Sequence, residues 1–137
     1  MYDRLYVEYV YYFNVEKDYY ECHEVMEEYW MQEGRNKLLQ ALLQVAVALH
    51  HFRNNNVEGA ILLFEAALAK ASTPWHGKLG IDDRQLFAEA AQYVERLHNY
   101  EENPFPFYPL TLLITDPDLA AATASCAPSG VAEEDKF

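Results

Sequence analysis

Residues 36–53 constrain this chain more than any other stretch. Leu38, Leu39, Leu42, Leu43, Val45, Val47, Leu49 and Phe52 follow one another with alanines between them. A helix built from them is apolar on nearly every side, so it is stable only when other elements surround it. The apolar run is interrupted by Gln40 and Gln44 and is too short to span a bilayer. A helical bundle with this segment at its centre is the expected solution.

The flanking sequence supplies the partners. Leu5, Tyr6, Tyr9, Val10 and Phe13 fall at helical spacing over about residues 3–13, although their Tyr and Val content would also suit a strand. Asn14 is placed to cap a second helix over about 15–33, which Gly34 ends. The turn Asn54-Asn55-Asn56 leads into a fourth helix striped by Val57, Ala60, Ile61, Phe64, Leu68 and Ala71, and Thr73-Pro74 stops it. A loop through Trp75, His76 and Gly77 follows. The fifth helix begins at Asp82, an N-cap with Gln85 at the capping-box position and Ile81 and Leu86 spaced as a hydrophobic staple.

Asn103-Pro104-Phe105-Pro106-Phe107-Tyr108-Pro109 cannot continue a helix. It is expected to run extended, with Leu110, Leu112, Leu113 and Ile114 covering an exposed seam. From about Asp116 the residues are small and polar and read as a frayed end. The predicted fold is all-α: a compact single-domain bundle of about five helices with an extended C-terminal segment, over 1–114, and a flexible C-terminal tail over 115–137.

Charge and cysteine content narrow the function. Ten Lys and Arg against 22 Asp and Glu give a formal net charge of -12, which disfavours nucleic-acid phosphates and anionic membrane surfaces as partners. Cys22 and Cys126 make neither a disulfide framework nor a four-ligand zinc site. The opening residues show no basic stretch followed by an apolar one, so the expected compartment is the cytoplasm.

The chemistry-bearing pattern lies on the second helix. At 100° per residue, Tyr19, Cys22, Met26 and Trp30 define an apolar face, and Glu21, Glu24 and Glu28 fall opposite it. His23 and Glu27 lie on the flank of the apolar face, four residues apart and therefore neighbours. Such a carboxylate can fix one imidazole tautomer, or the two groups can share a cation. The third helix offers Gln40, Gln44, Val47 and His51 along one stripe, and buried amides and imidazoles need partners. The economical arrangement turns that stripe toward His23 and Glu27, giving a polar pocket between the second and third helices. His50, His76 and His98 are expected at the surface. A zincin-type peptidase reading of His23-Glu24 fails, because Glu24 faces away and Glu27 stands where a second His is required.

These residues also resemble a known family. Phe13-Asn14 is followed by His23-Glu24-Val25-Met26-Glu27-Glu28-Tyr29-Trp30, which fits a pattern of His, three residues, Glu, two residues, then Trp or Tyr. Gln40-Ala41-Leu42-Leu43-Gln44, Ala46-Val47-Ala48-Leu49-His50-His51, Asn56, Gly59-Ala60 and Gly80-Ile81-Asp82 continue it. Over about residues 10–98 the chain resembles domain of unknown function 309, small helical proteins of bacteria and archaea. It departs from the pattern at Ala41, where the family usually has Gly, and at Asn55, where Gly is frequent. The resemblance implies a compact helical fold and a metal-binding motif at His23 and Glu27, but no activity.

The sequence thus predicts a pocket formed by His23, Glu27, Gln44, His51 and Trp30. Its expected ligand is a small polar molecule or a divalent cation (zinc, manganese or iron), with His23 and Glu27 as metal ligands and His51 as a further one. It does not decide whether the protein is an enzyme. The competing expectation is a non-enzymatic interaction or scaffold module, docking a protein partner or a second copy, in which the same network serves packing alone.

Overall fold

The computed structural model describes residues 2–71 and 79–126. Six α-helices and one π-helical turn are found among them, with no β-strand beyond an isolated antiparallel bridge between Ile81 and Ile114. The expected loop through Thr73, Pro74, Trp75 and His76 and the chain beyond Cys126 lie outside the described residues.

Helix α1 (Arg4–Tyr11) starts at Asp3, whose side chain accepts from Leu5 N–H. Its Tyr6, Tyr9 and Val10 are fully enclosed. A Tyr- and Val-rich segment is helical here because its 3.6-residue spacing puts those rings on one buried stripe. The chain then widens into a π-helical turn, Tyr12–Glu16, which ends on Lys17 in the left-handed conformation. Helix α2 (Tyr19–Gln32) begins only after that turn, capped by Asp18 through Glu21 N–H at 3.1 Å.

Asn14 therefore does not cap the second helix. Its amide reaches the far end of the chain instead, donating to the Leu112 carbonyl at 2.9 Å and accepting from Leu112 N–H at 2.8 Å.

Helix α3 (Lys37–Arg53) is capped by Asn36 and buries Leu38, Leu39, Leu42, Val45, Leu49 and Phe52. It packs on one side against α2 and on the other against α4 (Val57–Lys70), which in turn packs against α5 (Asp83–His98). One stripe of α3 is left only half covered: Gln40, Leu43, Gln44, Val47, His50 and His51. The central helix is thus roofed by its neighbours on all sides but this one.

Asp82 caps α5 as expected, accepting from Gln85 N–H at 3.1 Å. The reciprocal half of the capping box is not made. Gln85 bonds Glu89, and Asp82 N–H donates to the Leu113 carbonyl at 2.8 Å, so the returning chain takes the group the Gln would have satisfied.

Residues 103–114 form the extended strap the prolines predict. Phe105, Leu110 and Leu112 are buried beneath it, and Leu113 points outward. Tyr108 stacks on Tyr93 with ring centroids 4.2 Å apart, and Tyr93 Oη donates to the Tyr108 carbonyl. Thr115 N–H completes the docking by donating to the Gly80 carbonyl at 2.7 Å. Gly80 has φ +75°, and a Cβ there would sit 2.5 Å from Tyr2 Oη, so both backbone and space require glycine.

The start of the polar end is not frayed. Asp116 and Pro117 initiate helix α6 (Pro117–Ala124), a short helix packed on α1 with Leu119 fully buried and Tyr2 donating to Asp116. Its alanines and single leucine suit a helix that needs only one anchoring side chain. No helix among the described residues is long and apolar enough to cross a membrane.

Candidate ligand site between α2 and α3

The apolar face of α2 is as the spacing dictates, with Tyr19, Cys22 and Met26 fully buried. Burial raises the Cys22 thiol well above its ordinary range, so it stays protonated and serves as packing. His23 and Glu27 lie beside that face, not in it. Their side chains remain 33% and 48% exposed, so the pair is a surface feature of the helix flank.

His23 is held between two carboxylates. Nε2 lies 3.7 Å from Glu27, and Nδ1 lies 3.3 Å from Glu24. Glu24 was expected on the opposite side of the helix, but adjacent exposed side chains can fold toward each other along the surface, and here the nearer carboxylate is the neighbour in sequence.

Across from His23, α3 presents Val47 and His50. With Tyr20 they line an open recess of ≈ 150 Å³. The Tyr20 ring, 52% exposed, stands 6.2 Å from the His23 ring and 5.8 Å from the His50 ring, bridging the two helices. Partial burial, reinforced by His51 and Arg53, lowers the His50 pKa, with Asp18 opposing. His50 therefore lines the recess as a neutral imidazole near neutral pH.

The structure separates the other residues expected at the pocket. Gln44 faces α4, where its amide oxygen accepts from Lys70 Nζ at 3.1 Å. His51 turns to the α3–α4 junction, with Nδ1 3.4 Å from the Asn56 amide nitrogen. Helical geometry explains the split: positions 47 and 50 share one flank of α3, and positions 44 and 51, two turns apart, share the other. His50, read from the sequence as solvent-facing, takes the place assigned to His51. Only its three-residue offset from Val47 pointed there. Trp30 is two turns from His23, about 10 Å along the axis. It lies under the Arg35 guanidinium, 5.2 Å from the ring, with its buried indole nitrogen lacking a hydrogen-bond partner.

A zinc-type ion takes three or four donors. Among the described residues no group of three or more His, Cys, Asp or Glu side chains is arranged to hold one. The third ligand expected from His51 is on the wrong side of α3.

Residues 6–63 match a family model. That model describes the domain of unknown function DUF309. This is the family the sequence resembles, and the matched stretch runs from α1 into α4 and includes both walls of the recess. Gly80-Ile81-Asp82, α5 and the strap lie beyond it. The chain is also 41% identical over 63 residues to the uncharacterized protein YpuF of Bacillus subtilis (strain 168), an alignment covering 44% of this chain and 36% of that protein. The match thus spans about a third of the length of this relative. No solved structure matches the chain.

Proposed function

We propose that this protein binds a small ligand in the recess between α2 and α3, contacted by Tyr20, His23 and His50 and floored by Val47. The observation that carries the reading is the placement of two imidazoles from separate helices around one half-exposed tyrosine ring. A tyrosine left this open at the mouth of a recess offers stacking area and a hydroxyl that packing does not use. Glu24 and Glu27, beside its two ring nitrogens, orient the His23 ring at the edge of the recess. The space is below the roughly 300 Å³ at which drug-sized sites begin. The ligand, or the part of it that enters, is therefore a group of a few heavy atoms.

Histidine NMR tests this. In spectra of the imidazole carbons, a library of small neutral, cationic and anionic fragments is expected to contain members that shift His23 and His50 together. His98, which sits on α5 paired with Glu65 at 2.9 Å, serves as the internal control. Val47→Phe, which fills the recess from its floor, is expected to abolish those shifts with the fold retained by circular dichroism. A library that leaves His23 and His50 unmoved defeats the proposal. Stoichiometric zinc binding at micromolar affinity, lost in His23→Ala, would replace it with the metal reading.

A further inference from the structure

We infer that the group received by the α2–α3 recess is an organic cation, an ammonium or guanidinium; this rests on the recess being a binding site. The inference comes from charge, ring geometry and size taken together.

The rim is negative. Glu24 and Glu27 border it at the His23 edge with about half of each side chain in solvent, and the whole chain carries -12. An anion entering between the two histidines would meet both carboxylates. The nearest cation on the other wall, Arg53, is already engaged elsewhere: its Nη1 donates to the Lys17 carbonyl at 2.6 Å, and its guanidinium lies over Tyr19 and Phe107 at 4.7 and 4.6 Å. Its charge still reaches His50, whose pKa it helps lower, but its hydrogen-bonding groups and its face are turned to Lys17, Tyr19 and Phe107.

The walls are aromatic. The Tyr20 ring is inclined by 45° to His23 and 48° to His50 and lines the recess with them, and a tyrosine face of this kind attracts a cation through its ring quadrupole. His50 is kept neutral by its burial, so this wall does not repel the guest. A recess of ≈ 150 Å³ has room for an ammonium or guanidinium head. The same chemistry recurs within the fold, where Arg96 lies 4.0 Å over Phe105 and Arg35 lies over Trp30.

The probes are butylammonium, methylguanidinium, neutral n-butanol and inorganic phosphate, each titrated into the full chain with His23, His50 and Tyr20 resonances as readout. The cations are expected to saturate on the order of millimolar, while butanol and phosphate leave the same resonances in place. Glu24→Gln with Glu27→Gln, both at exposed positions, is expected to weaken the cations by roughly five- to ten-fold. A blocked Gly-Arg-Gly peptide separates the two sources of such a group. Tighter binding than methylguanidinium assigns the recess to a partner's side chain, and weaker binding assigns it to a free amine or guanidine; either outcome supports the cation. Butanol or phosphate binding as well as the cations overturns the charge inference and leaves the recess standing. Silence of every probe overturns the inference, and the broader fragment library then decides the recess itself.

Discussion

The Asn14 amide serves both backbone groups of Leu112 at once, with its nitrogen on the carbonyl and its oxygen on the N–H. Leu112 is buried, so water cannot replace either bond without opening the strap. Asn14→Ala is expected to destabilise the protein by about 1–3 kcal/mol, the cost of leaving buried backbone groups unpaired, as read from the urea midpoint. In the sequence Asn14 looks like a cap because only local partners are visible there. Its actual partner is 98 residues away. His50 carries the second residue-scale prediction. Its folded pKa is lowered, so the folded state binds this proton less readily than the unfolded chain. The stability it contributes is full above the ordinary histidine range and is lost as pH falls through that range toward the depressed value. An NMR titration is expected to give His50 a midpoint below that of a model histidine, and His50→Asn to shallow the decline in stability over that window.

Helix boundaries follow the same logic one level up. Asp18, not Asn14, starts α2, because the π-helical turn Tyr12–Glu16 and the left-handed Lys17 intervene. Asp18→Ala is therefore expected to cost about 0.5–2 kcal/mol through the lost cap. Calorimetry in parallel with Asn14→Ala separates the two effects, since only the latter frees the strap to proteolysis. Helix α3 shows which part of an apolar pattern carries the stability. Leu42 is fully buried, and Leu42→Ala is expected to cost roughly 2–5 kcal/mol in transfer and cavity terms. Gln44, on the half-covered stripe, accepts from Lys70 in a partly exposed contact, so Gln44→Ala is expected to stay within about 0.5 kcal/mol and to leave the His23 and His50 resonances unchanged. The existence of all five expected helices was legible from periodicity, the first against a composition that would also suit a strand. The rotation of α3 about its axis was not, because Gln44 and His51 present the same polar chemistry to whichever neighbour stands beside them.

At the scale of the whole molecule, α1 to α4 do not close the core. Tyr93 from α5 and Phe105 from the strap pack on Phe52, Tyr93 also packs on Phe64, and Leu97, Leu110, Leu112 and Leu119 from α5, the strap and α6 are buried in the same core. A fragment ending at residue 63, the limit of the family match, is thus expected to lack dispersed NMR spectra and a cooperative melt, although it holds both walls of the recess. The residues before α1 meet the start of α6 where Tyr2 donates to Asp116. That bond holds the Asp116 carboxyl below its usual range and pushes the Tyr2 phenol up to about 12. Its contribution is present above the unfolded carboxylate pKa and is lost as pH falls through the depressed value. It is lost again as pH rises from the ordinary tyrosine range toward about 12. Tyr2→Phe is expected to flatten both edges of the stability–pH profile. The sequence by itself determined the all-helical class, the apolar central helix, the proline-rich strap and the flank on which His23 and Glu27 sit, because each follows from spacing within one segment. Tertiary structure alone decided that His50 rather than His51 faces His23, that Asn14 holds the strap, and that Pro117–Ala124 form a docked helix. Each of these depends on which surface a distant segment brings, and no local pattern encodes that.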